Sequence, residues 1–249
     1  MNTVPKFVLI LGISGSISSR QGVINVAVER AINDVLEAFK SIKPGELIVV
    51  EYTPLIPLHL AVSLPIRIGR ERKIQVVIND IFDQFHVLLS HLATMGVDTS
   101  WAKDVPVVKF GGSLSTGKVI NRISILKATP VWHMEYEKAL KEVPGLKLIV
   151  TLGLEKLIAI KSELPASTVC RMTVASSLGA EDRINVTFIN RDMLTESTLE
   201  DIRELASRVF ELGFENGKLT LRTLKSLRLE DYGRKLSIDA SALLDYLAT

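Results

Sequence analysis

Apolar and polar positions alternate along this chain in two rhythms. Short apolar runs rich in β-branched residues recur at Phe7–Ile13, Glu46–Tyr52, Lys73–Ile78, Val105–Phe110, Leu146–Leu152 and Arg183–Ile189, and they predict buried strands. Between them lie stretches of helical spacing. In Val23–Ile42 the residues Val23, Ala27, Ala31, Val35, Ala38 and Ile42 form one apolar face, and Lys43-Pro44-Gly45 stops the helix. Further helices are predicted at His59–Ile68 (bent at Pro65), Phe82–Met95 (closed by Gly96), Met134–Glu142 and Thr198–Leu212. Lys218–Leu224, with Lys218, Arg222, Lys225 and Arg228 in and after it, is expected to be a charged edge strand.

Strands that alternate with helices and are apolar on both faces point to a parallel sheet covered on both sides. The expected fold class is therefore α/β, a three-layer, mostly parallel sheet with helices on both faces. The expected division is an N-terminal strand and helix extension over residues 1–45 and a main α/β domain over 46–249.

Composition adds exclusions more than assignments. Of 249 residues, 47% are hydrophobic and 23% charged, the balance of a folded domain with a sizeable core. Thirty Lys and Arg against 28 Asp and Glu give a net charge of +2. That is too even to imply nucleic acid or an anionic membrane as partner. Phe7–Ile13 falls short of the roughly 18 apolar residues a membrane span requires and reads as a strand. Cys170 is the only cysteine, which excludes an internal disulfide and a multi-cysteine metal site. A buried thiol in a reducing, cytoplasmic setting fits. His86 and His91 are five apart and miss the spacing that places two ligands on one helix face, so no metal site is expected from them. His133 sits beside Trp132 and Tyr136, where an aromatic cluster is expected.

Several segments in order carry a resemblance over residues 32–229. They are Lys43–Thr53, Gly96-Val97-Asp98-Thr99-Ser100, Val108-Lys109-Phe110-Gly111-Gly112, Leu152-Gly153-Leu154-Glu155-Lys156-Leu157 and Phe188-Ile189-Asn190-Arg191-Asp192. The chain resembles the RecA-like, KaiC-like P-loop ATPases of archaea, and more closely a small archaeal domain-of-unknown-function family related to them. The resemblance implies a RecA-like sheet over 46–249, and it marks what has been lost. Where the phosphate loop should follow the strand Glu46–Tyr52, the chain reads Thr53-Pro54-Leu55-Ile56-Pro57-Leu58-His59, with no glycine, no lysine and no Mg²⁺-binding hydroxyl after one. Where a Walker-B carboxylate should end a strand stands Leu152-Gly153. Pro54, Leu55, Pro57 and Leu58 are expected to be buried, in the core or in a subunit contact.

The same resemblance supplies the candidate ligand-binding residues. Asp80 and Asp83 follow a strand where KaiC-like proteins carry catalytic carboxylates; their plainer reading is as helix N-terminal acids. Asn190 and Arg191 fill the place of a polar sensor. With Thr53 and Glu155, they are expected at strand carboxyl ends, where ligands bind in open α/β sheets. No catalytic residue and no cofactor is assigned. The expected role is that of a non-hydrolysing binding, regulatory or scaffold protein, its partner a second copy or an active ATPase paralogue.

Two alternatives place a phosphate elsewhere. Gly112-Ser113-Leu114-Ser115-Thr116-Gly117-Lys118 has P-loop spacing after a strand, with Gly112 and Lys118 as the key positions, but Val119 stands where Ser or Thr is needed. Gly12–Arg20, with Ser14, Ser16, Ser18 and Ser19, resembles the FMN phosphate loop of flavodoxin-like reductases.

Overall fold

The computed structural model describes residues 33–35, 37–39, 41–160 and 178–248. Its centre is a nine-stranded sheet in the order β4-β3-β2-β5-β6-β1-β7-β8-β9. The strands are β1 (Leu47–Tyr52), β2 (Gln75–Ile81), β3 (Pro106–Phe110), β4 (Lys118–Ile123), β5 (Lys147–Leu152), β6 (Arg183–Asn190), β7 (Arg208–Glu215), β8 (Lys218–Lys225) and β9 (Lys235–Asp239). The first seven in spatial order pair in parallel, and β8 pairs antiparallel with both β7 and β9, so β8 alone runs against the others.

Alternation along each strand divides its side chains between two cores. Ile48, Val50 and Tyr52 of β1 point into one layer with Ile78, Val150 and Phe188. That layer is covered by α1 (Leu58–Glu71), α2 (Gln84–Thr94) and α6 (Ala240–Ala248). Leu47 and Val49 point the other way, with Val77, Ile149 and Ile189, into a layer covered by α3 (Thr129–Lys141), α4 (Leu154–Ile160) and α5 (Glu196–Leu205). The fold is thus the α/β, mostly parallel, three-layer arrangement that the apolar runs predict. The expected boundary at residue 45 falls just before β1, while Val35 and Ile42 on its N-terminal side are buried in the first core.

The structure corrects the sequence reading at the C-terminal third. The helix expected over Thr198–Leu212 ends at Leu205, and Arg208–Glu215 is a strand. The helical spacing arose because Leu199, Ile202, Ala206 and Val209 all bury into the same layer, the last of them from the strand. Asn216-Gly217 then turns the chain into β8 with φ of 51° and 75°, the left-handed pair that a two-residue hairpin requires. The strand expected at the edge, Lys218–Leu224, is covered by β9. In α1 the helix runs through Pro65 to Glu71, past the expected end at Ile68.

Candidate functional site

The carboxyl ends of β1, β2, β3, β5 and β6 lie side by side along one edge of the sheet, so the expected site residues share an edge. They do not share a site. Asp80 on β2 is fully buried, facing the layer of α1 and α2, and is the register partner of Lys109 on β3. Lys109 Nζ donates to Asp80 Oδ2 at 2.7 Å and also to Asp83 Oδ1. The other oxygen of Asp80 accepts the Phe85 amide at 3.0 Å, capping the first turn of α2. Both acids are thereby committed to structure, one as a cap and both as partners of a buried ammonium.

Asp83 performs a second task. With Phe82 it adopts left-handed backbone, φ 62° and 53°, which aims its carboxylate at the glycine-rich turn after β3. Its oxygens accept the amides of Ser113 at 2.9 Å and Leu114 at 3.2 Å. Burial works against the charge, but the Lys109 ammonium and these two amides outweigh it and hold the carboxyl below its usual range. Gly112 permits the approach: a Cβ there would lie 2.5 Å from Asp83 Oδ1, and its φ is 73°. The anion held by this loop is therefore the protein's own carboxylate. Lys118 opens β4 rather than a helix, so no helix dipole stands behind the loop.

Arg191 belongs to the opposite face, whereas Asn190 ends β6 two residues after Phe188 of the first core. Asn190 Oδ1 accepts the Asp192 amide at 3.1 Å and caps a short 3₁₀ turn. Arg191 pairs with Glu211 of β7, which alternates with Phe210 and Leu212 of the first core and so faces the α5 layer. Asp80 and Arg191 thus lie on opposite faces of the sheet, each with its own ionic partner. Asp80, Asp83, Glu155, Asn190 and Arg191 do not join in one ion-paired cluster: Asp80 and Asp83 are paired with Lys109, and Arg191 with Glu211.

Glu155 is the exception among these acids. It follows Gly153 at the end of β5, is fully buried, and among the described residues neither carboxyl oxygen meets a donor at hydrogen-bond distance. Burial raises its pKa; the nearby amides of Glu155 and Asn190 only moderate the effect. Tyr52 stands close enough that burial first, and the Glu155 carboxyl second, push its phenol upward. A buried acid without a partner is disfavoured when ionised, so this carboxyl is held toward its neutral form.

Beside Tyr52 opens a cavity of about 410 Å³, bounded by the 53–59 turn, α2, Leu152 and Phe188. At this turn Thr53 is half-buried and its carbonyl accepts the Ile56 amide at 3.1 Å. The Leu58 amide is taken by the Ile56 carbonyl at 2.7 Å, and Pro54 and Pro57 have no N–H. Ile56 and Leu58 pack on the first core. Pro54 and Leu55, expected to be buried in the core or in a subunit contact, are exposed among the described residues, Leu55 by 90%; the turn projects past the end of β1 at Tyr52. A larger cleft of about 650 Å³ lies between α1, α2 and α6, away from the strand ends, with Arg70 stacked over Trp101.

Two groups were not foreseen from sequence. Lys109 stands inside an apolar strand and gives no signal without its partners. His59 and His91, 32 residues apart, bring their rings to 5.5 Å at the cavity wall. Ser14, Ser16, Ser18 and Ser19, the FMN-loop candidates, lie outside the described residues.

Comparison with known proteins follows the same lines. The chain is similar to a Pyrococcus horikoshii OT3 protein solved in a structural study, with 26% identity and a TM-score of 0.67, covering 80% of this chain and 95% of that one. It also matches the flagellar accessory protein FlaH from Methanocaldococcus jannaschii at 16% identity and a TM-score of 0.49, covering 79% of this chain and 84% of that one. No curated protein matches the sequence. Residues 37–237 match the family described as Pyrococcus protein of unknown function, DUF257, and the chain belongs to that family.

Proposed function

We propose that this protein is a non-hydrolysing binding or regulatory module on a RecA-like sheet, its ligand edge converted from phosphate handling to apolar recognition. The observation that carries this reading is the turn after β1. Phosphate capture at such a turn needs several free N–H groups aimed at one point. Here two of the positions are prolines, and the amides of Ile56 and Leu58 are already bonded within the turn. The adjoining cavity is walled by Tyr52, Ile56, Leu58, Val87, Leu88 and Phe188. The other residues that could have served nucleotide chemistry are spoken for: Asp80 and Asp83 by Lys109, and the glycine loop by Asp83.

A partner surface fits this edge better than a triphosphate does. Leu55 is 90% exposed at the turn, and Phe214, which also borders the cavity, is 41% exposed. Exposed apolar residues around an apolar recess favour burial against another chain, a second copy or an ATPase paralogue. Titration with a fluorescent ATP analogue and Mg²⁺, alongside a phosphate-release assay, tests the reading. No saturable binding and no release above a heat-killed control is expected. Magnesium-dependent release that Asp80→Ala abolishes would overturn it.

A further inference from the structure

Two imidazoles on the cavity wall, His59 and His91, and the Met95 thioether beside them are left unexplained by the strand ends and the acidic cluster. His59 sits on the first turn of α1; His91 and Met95 stand four residues apart at the end of α2, on one face of it. His59 Nε2 lies 2.9 Å from Met95 Sδ. The His59 and His91 rings lie 5.5 Å apart, centroid to centroid, at 77°. We propose that His59, His91 and Met95 form a two-imidazole, one-thioether site for a soft monovalent cation, copper(I) by class.

The spacing of the three groups suits ligands of one ion. Two imidazoles whose nitrogens each lie about 2.0 Å from a metal have centroids roughly 5–6 Å apart, and a sulfur at about 2.3 Å falls about 3.5 Å from each nitrogen. The His59 and His91 centroids, 5.5 Å apart in an edge-on contact, fall in that range. Met95 must withdraw by roughly half an ångström to reach the sulfur distance, which an unbranched thioether does by small torsional changes. Met95 is 43% exposed, so nothing packed around it prevents that movement.

The donor set decides the class of ion. Among the described residues no group of three or more His, Cys, Asp and Glu is arranged to hold a metal. A zinc or magnesium site would draw on such groups, whereas the thioether here is a soft ligand that selects copper(I). Val87 and Leu88, on the same wall, give the two imidazoles an apolar flank. A low-charge ion suits that flank better than a divalent one. Bound there, the ion would tie the start of α1, and with it the β1 turn, to the end of α2.

The test is anaerobic competition of the full chain, under ascorbate, against a chromophoric copper(I) chelator such as bicinchoninate. One equivalent is expected to transfer to the protein. Met95→Leu and His91→Gln should each weaken binding at least tenfold, while His86→Gln, on another turn of α2, leaves it unchanged. Silver(I), a redox-inert probe of the same class, should shift the Met95 methyl resonance of the wild-type protein. That readout needs no variant and so does not depend on how variants fold. Failure to take up an equivalent, equal affinity of Met95→Leu and wild type, an unmoved Met95 methyl with silver, or tighter binding of zinc(II) than copper(I) would each overturn the assignment.

Discussion

Replacing Lys109 by Met isolates the ion-pair cluster that it forms with Asp80 and Asp83. Methionine keeps most of the lysine stem's volume, so the packing loss is small and the change is chiefly electrostatic. The side chains of Lys109 and Asp80 are both fully buried, and they lie 2.7 Å apart. In the variant Asp80 keeps the Phe85 amide but loses its only cationic partner in the cluster. Asp83, 19% exposed at its side chain, keeps two amides and partial access to water. Breaking a buried pair by removing one member costs about 3–5 kcal/mol, a large share of a typical total of roughly 5–15 kcal/mol. For a chain of this size each kcal/mol moves the midpoint by about 2–4 °C, so a fall of roughly 6–20 °C is expected. Urea unfolding at neutral pH, followed by circular dichroism, measures the difference in free energy directly. Adding Asp80→Asn removes the stranded charge, and the double variant should be more stable than Lys109→Met alone. A loss below about 1 kcal/mol for Lys109→Met, or a double variant less stable than the single, would refute the argument that Asp80 is held by charge pairing.

Three other outcomes follow from the same geometry. Gly112→Ala places a methyl on left-handed backbone against the Asp83 carboxylate and should destabilise by more than about 1 kcal/mol, with faster hydrogen exchange at Ser113 and Leu114; unchanged exchange at both amides would contradict the contact. Glu155 has a folded-state pKa above its unfolded one, so its favourable contribution is complete at acid pH and is lost as pH rises through the folded value. Glu155→Gln should therefore gain stability relative to wild type between pH 4 and 8, about nothing at the lower end and most at the upper; a pH-independent difference in urea midpoints would refute it. Arg203→Met leaves Glu51, fully buried and bonded at 2.7 and 2.8 Å, without its guanidinium, and should cost about 3–5 kcal/mol in the same assay, whereas a loss near zero would show that Glu51 is satisfied elsewhere.

The sequence alone determined the layers. Apolar runs such as Val49-Val50 and Leu148-Ile149-Val150 are buried on both faces because a central parallel strand has no solvated side, and that condition is written into consecutive residues. It also determined that the turn after β1 has two positions without an N–H donor, since proline lacks one whatever surrounds it. The sequence misled where two structures share one periodicity. Leu199 to Val209 buries residues at helical spacing, yet its last part is a strand, and the local sign of that, the Asn216-Gly217 hairpin pair, lay beyond the apolar pattern. What only the tertiary structure decided is pairing. Register set Lys109 opposite Asp80, left-handed backbone at Phe82 and Asp83 brought a carboxylate to the glycine loop, and alternation sent Arg191 to the other face. His59 and Met95 meet because α1 packs on α2. Such contacts join residues 26 to 36 positions apart in pairs like Lys109–Asp83 and His59–Met95, and no local propensity encodes them. They follow from strand order and helix packing, which the whole core fixes at once.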